Sequence, residues 1–134
     1  MIVDGDDPGR HGGRHGAIRA LLVREGWRLR TEDPRRLASI VEAADRAVVA
    51  DGEGAIVGFG RAVTDGVSNG YLSMVVVDSA HRRRGIGRAI VDALTGDDPR
   101  ITWVLRAGRE GSEAFWEAVG FRRSEVAMER VRTR

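Results

Sequence analysis

The sequence predicts a single α/β domain over residues 1–134, built on a mixed and mostly antiparallel sheet. Two early segments repeat apolar residues at helical spacing, and the middle of the chain has the pattern of an antiparallel meander. The last third alternates strand and helix patterns, which completes a mixed sheet. No linker or internal repeat divides the chain, so one hydrophobic core is expected.

The first residues, 1–16, are predicted to be loop-rich and partly mobile. A short strand is expected at Ile2–Val3, and the stretch that follows is rich in Gly, Asp, Arg and His without periodicity. His11 and His15 are four residues apart, a spacing that on a helix would point two metal ligands the same way. The glycines around them favour a loop and no third ligand accompanies them, so no metal site is predicted.

Two amphipathic helices are predicted before the sheet. The first spans Ala17–Glu25 and ends at Gly26. The second begins after Asp33, which suits an N-cap, and Pro34 suits the first helical position. Its apolar residues recur every three or four positions, as one buried stripe requires: Leu37, Ile40, Val41 and Ala44.

The middle of the chain predicts three antiparallel strands. Arg46–Ala50 and Ala55–Thr64 flank the turn-forming Asp51–Gly54, which together have the pattern of a hairpin. A second turn-rich segment, Asp65–Gly70, leads into Tyr71–Val77, which is rich in β-branched residues and expected to be central in the sheet.

The remaining chain predicts two helices and two strands. Gly85–Leu94 is expected to be helical with one apolar face, and Ile101–Leu105 a short strand. Glu113–Val119 is a predicted helix closed by Gly120, a residue typical of the position after a helix end. Ser124–Val131 is expected to form a final strand.

Composition excludes several kinds of chemistry. The chain has no cysteine, which removes thiolate nucleophiles and cysteine zinc sites, and all 22 basic residues are arginine, which removes any catalytic or phosphate-binding lysine. No apolar run approaches the roughly 18 residues of a membrane span, and no signal peptide is recognised. A cytoplasmic location is therefore expected. The net charge of +2 gives little support for nucleic-acid binding.

The segment Val75–Arg88 carries the functional signal. It joins a buried strand, an arginine-rich turn and a helix that begins at Gly85 and Gly87. Such a turn points unpaired backbone N–H groups at one place, where the helix dipole adds positive charge, so it suits a phosphate or pyrophosphate. The glycines let an anion approach the backbone. Four arginines add charge: Arg82, Arg83, Arg84 and Arg88.

Two rival phosphate motifs do not fit. A dinucleotide-binding fingerprint needs glycine or alanine where this chain has Ile90, and a P-loop needs a lysine. An arginine-rich nucleic-acid module is a third reading, but the run lacks interleaved aromatic residues.

Arg-Arg-Arg-Gly-Ile-Gly at 82–87 resembles the pyrophosphate signature of the GNAT superfamily of acetyl-CoA-dependent N-acetyltransferases, Gln/Arg-x-x-Gly-x-Gly/Ala. Phe115–Phe121 is similar to the aromatic Gly-Phe segment near the end of GNAT chains, and Gly54–Phe59 to the strand that precedes the motif strand. The resemblance covers roughly residues 46–123.

The resemblance implies a GNAT fold, with the sheet splayed between its fourth and fifth strands and about four flanking helices. Acetyl-CoA would lie in that cleft, near Val77 and Leu105, as cosubstrate, with no metal. The amide of Val76 or Val77 would stabilise the thioester oxygen while an amine attacks directly. The residues implied to bind the cosubstrate are Val75, Val76, Val77, Arg82, Arg83, Arg84, Gly85, Ile86, Gly87, Arg88 and Phe115.

Two positions depart from the family pattern. Trp116 stands where the family often has a tyrosine that protonates the leaving thiolate, and an indole N–H is too weak an acid for that role. Tyr71 stands where histone-acetylating relatives have a glutamate base; its hydroxyl suits the ordering of a water chain. Both remain candidate catalytic residues, and packing is the alternative role of each.

The resulting hypothesis is transfer of an acetyl group to a primary amine of a small molecule or protein. Homodimerisation is expected from the family. A catalytically silent domain that binds CoA as a sensor or structural ligand ranks second, because of Trp116 and Tyr71, and the nucleic-acid module third.

Overall fold

The computed structural model describes residues 2–3, 14–27, 31–52 and 54–133. In these residues a five-stranded sheet runs in the order β1-β2-β3-β4-β5, with four helices around it. The elements are β1 (Ile2–Val3), α1 (His15–Arg24), α2 (Pro34–Ala43), β2 (Arg46–Gly52), β3 (Ala55–Thr64), β4 (Asn69–Val77), α3 (Ile86–Thr95), β5 (Thr102–Val104) and α4 (Ser112–Ala118).

The sheet is mixed and mostly antiparallel, as predicted. The first four strands pair antiparallel, and β5 alone is parallel to its neighbour, β4. This follows from the connections, because short turns join β2, β3 and β4, whereas α3 carries the chain back between β4 and β5.

Alternate residues of the strands bury opposite faces of the sheet. Ala47 and Val49 pack with α1 and α2 in one core cluster, whereas Val48 and Ala50 pack with α3 in the other. The aromatic residues of α4 lie against this second cluster. Each fully buried aliphatic side chain contributes about 1.5–3 kcal/mol of transfer free energy, so both faces hold the helices firmly.

The predicted start of α2 is confirmed. Asp33 is the N-cap, its carboxylate accepts a hydrogen bond from the Arg35 amide at 3.0 Å, and Pro34 occupies the first turn. Local chemistry alone places this helix end.

The predicted loop at the start of the chain is partly wrong. α1 begins at His15, so His15 and Gly16 are helical rather than loop. Burial of Ile18, Leu21 and Leu22 outweighs the roughly 1 kcal/mol that a glycine costs in a helix. The strand predicted at Ile2–Val3 is confirmed as β1, whereas residues 4–13, with His11, lie outside the described residues.

The predicted final strand at Ser124–Val131 is also wrong. Residues 122–133 form no helix or strand and are exposed, including Val126 and Met128. An alternating apolar pattern predicts a strand only where a neighbouring element covers the apolar side. Here no such element covers it within the described chain. No helix in that part of the chain is long and apolar enough to cross a membrane.

Candidate functional site

The sheet opens between its last two strands. β5 pairs with β4 only from Asn69 to Tyr71, although β4 continues to Val77. The β3–β4 register shifts between Phe59 and Arg61, and Met74 opposite this shift has a φ of 57°. A bulge bends a strand, and a non-glycine residue in this conformation costs about 1–3 kcal/mol. The bulge lies in the part of β4 beyond Tyr71 that has no pairing with β5, and it bends this open edge.

The turn after β4 forms a concave surface of backbone amides. A 3-10 turn at Ser79–His81 is capped by Asp78, and then Arg83 and Gly85 have φ values of 65° and 80°. Left-handed residues next to a helix start aim successive N–H groups at one place. The first hydrogen bond of α3 runs from Ala89 to the Gly85 carbonyl, so the amides of residues 86–88 have no partner within the helix.

Asp78 is held ionised at this turn. Its pKa lies below its ordinary value because the Ala80 amide donates to its carboxylate, and the Arg24 guanidinium donates to it at 3.0 Å. The charge therefore stabilises the turn from which α3 starts.

The four predicted phosphate arginines divide into two pairs. Arg82 donates to the Glu25 carboxylate at 2.5 Å and Arg88 to the Ala118 carbonyl at 2.7 Å, so both tie elements together. Arg83 and Arg84 are exposed and have no hydrogen bond or ion pair with any described residue. These two remain available to a bound anion.

Gly85 and Gly87 are glycines for different reasons. Gly85 caps α3 at φ 80°, and a Cβ there would meet open space. At Gly87 a Cβ would lie 2.8 Å from the Phe115 ring, so this glycine makes room for an aromatic side chain. No sequence pattern indicated this packing role, and the approach of an anion to Gly87 stays a prediction.

The aromatic segment forms one wall of the opening. Trp116 packs edge to face on Phe115 and on Phe121, with ring centroids 4.9 and 5.5 Å away. All three side chains are partly buried against the core under α3. Packing is the role of Trp116 that these contacts support.

A cavity of about 280 Å³ lies where β4 and β5 separate. Its lining includes Tyr71 and Met74 of β4, Trp116 of α4 and Trp27 from the loop after α1. The structure thus brings together Tyr71 and Trp116, the two catalytic candidates. Val75 also lines the cavity, and Phe115 contacts Gly87 at the start of α3.

Two further arginines line this cavity, and no sequence motif signals them. The Arg109 guanidinium stacks on the Trp27 ring, 4.8 Å from its centroid, and donates to the Glu25 carbonyl at 2.5 Å. Arg106 pairs with Glu129 at 3.1 Å. Arg109 thereby joins the loop after α1 to the loop after β5. Among the residues that the structure describes, no group of three or more His, Asp or Glu is arranged to hold a metal ion.

Comparisons with known proteins agree with this geometry. The family model described as an acetyltransferase (GNAT) domain matches residues 43–123. A mycothiol acetyltransferase from Beutenbergia cavernae is 30% identical over 80 residues, which is 60% of this chain and 25% of that enzyme. The chain therefore matches about a quarter of that relative's length.

Two solved structures are informative. A GNAT-family protein from Xanthomonas campestris pv. campestris superimposes with a TM-score of 0.76 at 22% identity, over 97% of this chain and 92% of that one. An aminoglycoside 6'-N-acetyltransferase complexed with coenzyme A gives a TM-score of 0.55 at 28% identity, over 69% of this chain and 52% of that one. The first likeness shows a shared fold.

Proposed function

This chain belongs to the GNAT acetyltransferase family, and from that premise we propose that it moves an acetyl group from acetyl-CoA to a primary amine of a small molecule or protein. The observation that supports this proposal most directly is that two candidate binding surfaces are adjacent along the chain. The open edge of β4 leads directly, through the turn after Val77, to the unpaired amides at the start of α3.

Acetyl-CoA suits both features. Its pantetheine arm carries amides that pair with an open strand edge as an added strand would, along Val75–Val77. Its pyrophosphate suits the amides of residues 86–88, with Arg83 and Arg84 nearby to add charge. The coenzyme A complex of the 28%-identical aminoglycoside acetyltransferase supports this choice of cosubstrate.

The transfer itself is proposed to be direct. The chain has no cysteine, so no thiolate is available to carry the acetyl group. The neutral amine attacks the thioester carbonyl, and a backbone amide at Val76 or Val77 stabilises the negative charge that develops on oxygen. Correct positioning of the two reactants in the cleft supplies much of the acceleration.

Tyr71 and Trp116 have different proposed roles. Tyr71 lines the cavity, and its hydroxyl is proposed to order water that accepts the amine proton. Trp116 packs in the aromatic wall, and the departing thiolate takes its proton from solvent.

Calorimetric titration with acetyl-CoA, followed by an amine screen that monitors thiol release, tests the proposal. We expect micromolar binding and release of CoA that depends on an amine. No binding at millimolar acetyl-CoA would refute it.

The second candidate is a silent domain that binds CoA without turnover. Trp116 favours this candidate, because it stands where a tyrosine could protonate the leaving thiolate. Tight binding of acetyl-CoA without thiol release across small amines, polyamines and peptides would select it.

A further inference from the structure

The cavity between β4 and β5 has an unusual charge balance for a site that receives an amine. Among the described residues that line it, Arg106 and Arg109 are charged and none is Asp or Glu. A polycationic acceptor would bring like charge next to two guanidinium groups, of which Arg106 is paired with Glu129 and Arg109 has no carboxylate partner among the described residues. At an effective dielectric constant near 20, two unit charges 4 Å apart interact by about 4 kcal/mol.

Arg109 lines the cavity, and its guanidinium is held in place by two contacts. One face of its guanidinium lies on the Trp27 ring and Nη2 donates to the Glu25 carbonyl, so two contacts fix the group. A guanidinium has five N–H donors in one plane, and stacking leaves the edge of that plane accessible. A carboxylate matches such an edge with two parallel hydrogen bonds.

Arg106 already holds a carboxylate in this structure. Its Nε lies 3.1 Å from an oxygen of Glu129, and the two side chains are 46% and 57% exposed. Exposed ion pairs contribute little free energy, typically 0–1 kcal/mol, so a ligand carboxylate can displace Glu129 at small cost.

The size of the cavity restricts the acceptor further. About 280 Å³ must accommodate both the acetyl thioester and the attacking amine. Ligand pockets usually measure about 300–1,000 Å³, so this space suits a small molecule.

We propose that the acceptor is a small primary amine that also carries a carboxylate, of the amino-acid class, bound through Arg109 and Arg106. This inference rests on the proposed function. In the reaction the C–N bond forms as the thioester C–S bond breaks, one amine proton passes to solvent, and CoA leaves as the thiol. The acceptor carboxylate takes no part in the chemistry and only orients the amine.

Matched acceptor pairs test the inference. L-Alanine, L-methionine and L-glutamate are each compared with the corresponding α-amide, by kcat/KM for thiol release, with spermidine and phosphoethanolamine as further acceptors. We expect the acids to exceed their amides at least tenfold. Amine basicity alone would favour the amides, because an α-amide lowers the pKa of the amine and leaves more of it in the neutral, reactive form. A preference for the acids therefore cannot come from basicity.

Arg109→Gln is expected to reduce the acid-to-amide ratio about tenfold, since a hydrogen bond to a charged group is lost. Arg106→Gln is expected to reduce the ratio less, by at most about fivefold, because an exposed arginine pairs weakly with a carboxylate. The acid-to-amide ratio separates anion binding from the structural role of Arg109, because a distorted cleft would lower the rates with acids and with amides together. Arg100→Gln is the control, since Arg100 lies before β5 rather than after it and, within the described part of the chain, its side chain pairs with Asp98 alone.

The outcomes separate the inference from the proposed function. Turnover that favours amides, spermidine or phosphoethanolamine would overturn the carboxylate acceptor and keep the acetyltransferase. An acid preference that both arginine variants leave unchanged would also overturn it. Absence of acetyl-CoA binding would remove the proposed function and the inference together.

Discussion

At the scale of single residues, Gly85 offers the sharpest test of the anion site. A Cβ at this position would have no atom within 4 Å, so a side chain there is strained by φ 80° but does not clash at its Cβ. The left-handed conformation costs about 1–2 kcal/mol for any L-residue, so Gly85→Glu and Gly85→Gln should be destabilised equally. They differ only in charge.

We expect Gly85→Glu to bind acetyl-CoA at least tenfold more weakly than Gly85→Gln, because its carboxylate would face the pyrophosphate. Calorimetry measures both affinities, and denaturant unfolding checks that the two stabilities match. Equal affinities of the two variants would contradict the proposal that the pyrophosphate binds at this turn.

Trp116 is a second residue whose role can be separated. Phenylalanine keeps the edge-to-face contacts with Phe115 and Phe121 but lacks the indole N–H. If packing is the whole role, Trp116→Phe keeps kcat within about threefold and loses about 1 kcal/mol of stability. Steady-state kinetics decides this. A drop beyond about a hundredfold with intact acetyl-CoA binding would make the indole catalytic.

At the scale of elements, the turn between β3 and β4 depends on one carboxylate. Asp65 accepts hydrogen bonds from the Ser68 hydroxyl and from the amides of Ser68, Val67 and Asn69. These bonds favour the ionised form and hold the pKa of Asp65 far below its ordinary range. Because the folded-state pKa is lowered, the stabilisation is present above the unfolded value of about 3.9 and is lost as pH falls through the folded pKa.

We therefore expect wild type to exceed Asp65→Asn in stability at pH 7, with a gap that shrinks below about pH 4. Urea unfolding midpoints at pH 7, 4 and 2.5 measure it. Asp78 and Asp98 also have lowered pKa values, so only the difference between the two proteins isolates Asp65. The exposed Asp97, replaced by Asn, is the control. A gap for Asp65→Asn that is constant with pH would contradict the assignment.

Elements also show where sequence reasoning succeeds. The N-cap of α2, the β2–β4 meander and the glycine turn before α3 depend on neighbours in sequence, and each was predictable from local chemistry. The Glu25–Arg82 and Arg109–Glu25 contacts join residues 57 and 84 positions apart. No local pattern contains them, so the place of Arg109 beside the cavity appears only in the folded chain.

At the scale of the whole molecule, the family and the fold expected from the sequence are confirmed, whereas homodimerisation stays a prediction. The segment after α4 exposes Val126 at 89%, Met128 at 97% and Val131 at 54%. Clustered exposed apolar side chains are typical of contact surfaces between chains.

We expect a mass twice the 14.6 kDa of one chain by light scattering, and a shift toward the monomer in Met128→Glu. Val67→Glu, at an exposed position on the β3–β4 turn, is the matched control. A monomeric wild type at high concentration would contradict the expectation.

Glu25, which follows α1, contacts both the turn before α3 and the loop after β5. Its carboxylate holds Arg82 and the Ser79 amide in the turn before α3, while its carbonyl holds Arg109 beside the cavity between β4 and β5. If the cosubstrate orders the turn before α3, Glu25 and Arg109 are expected to become less mobile as well. An acceptor that then binds beside Arg109 would lose less conformational entropy. The two ligands should bind with positive cooperativity, and by linkage each should tighten the other by the same factor.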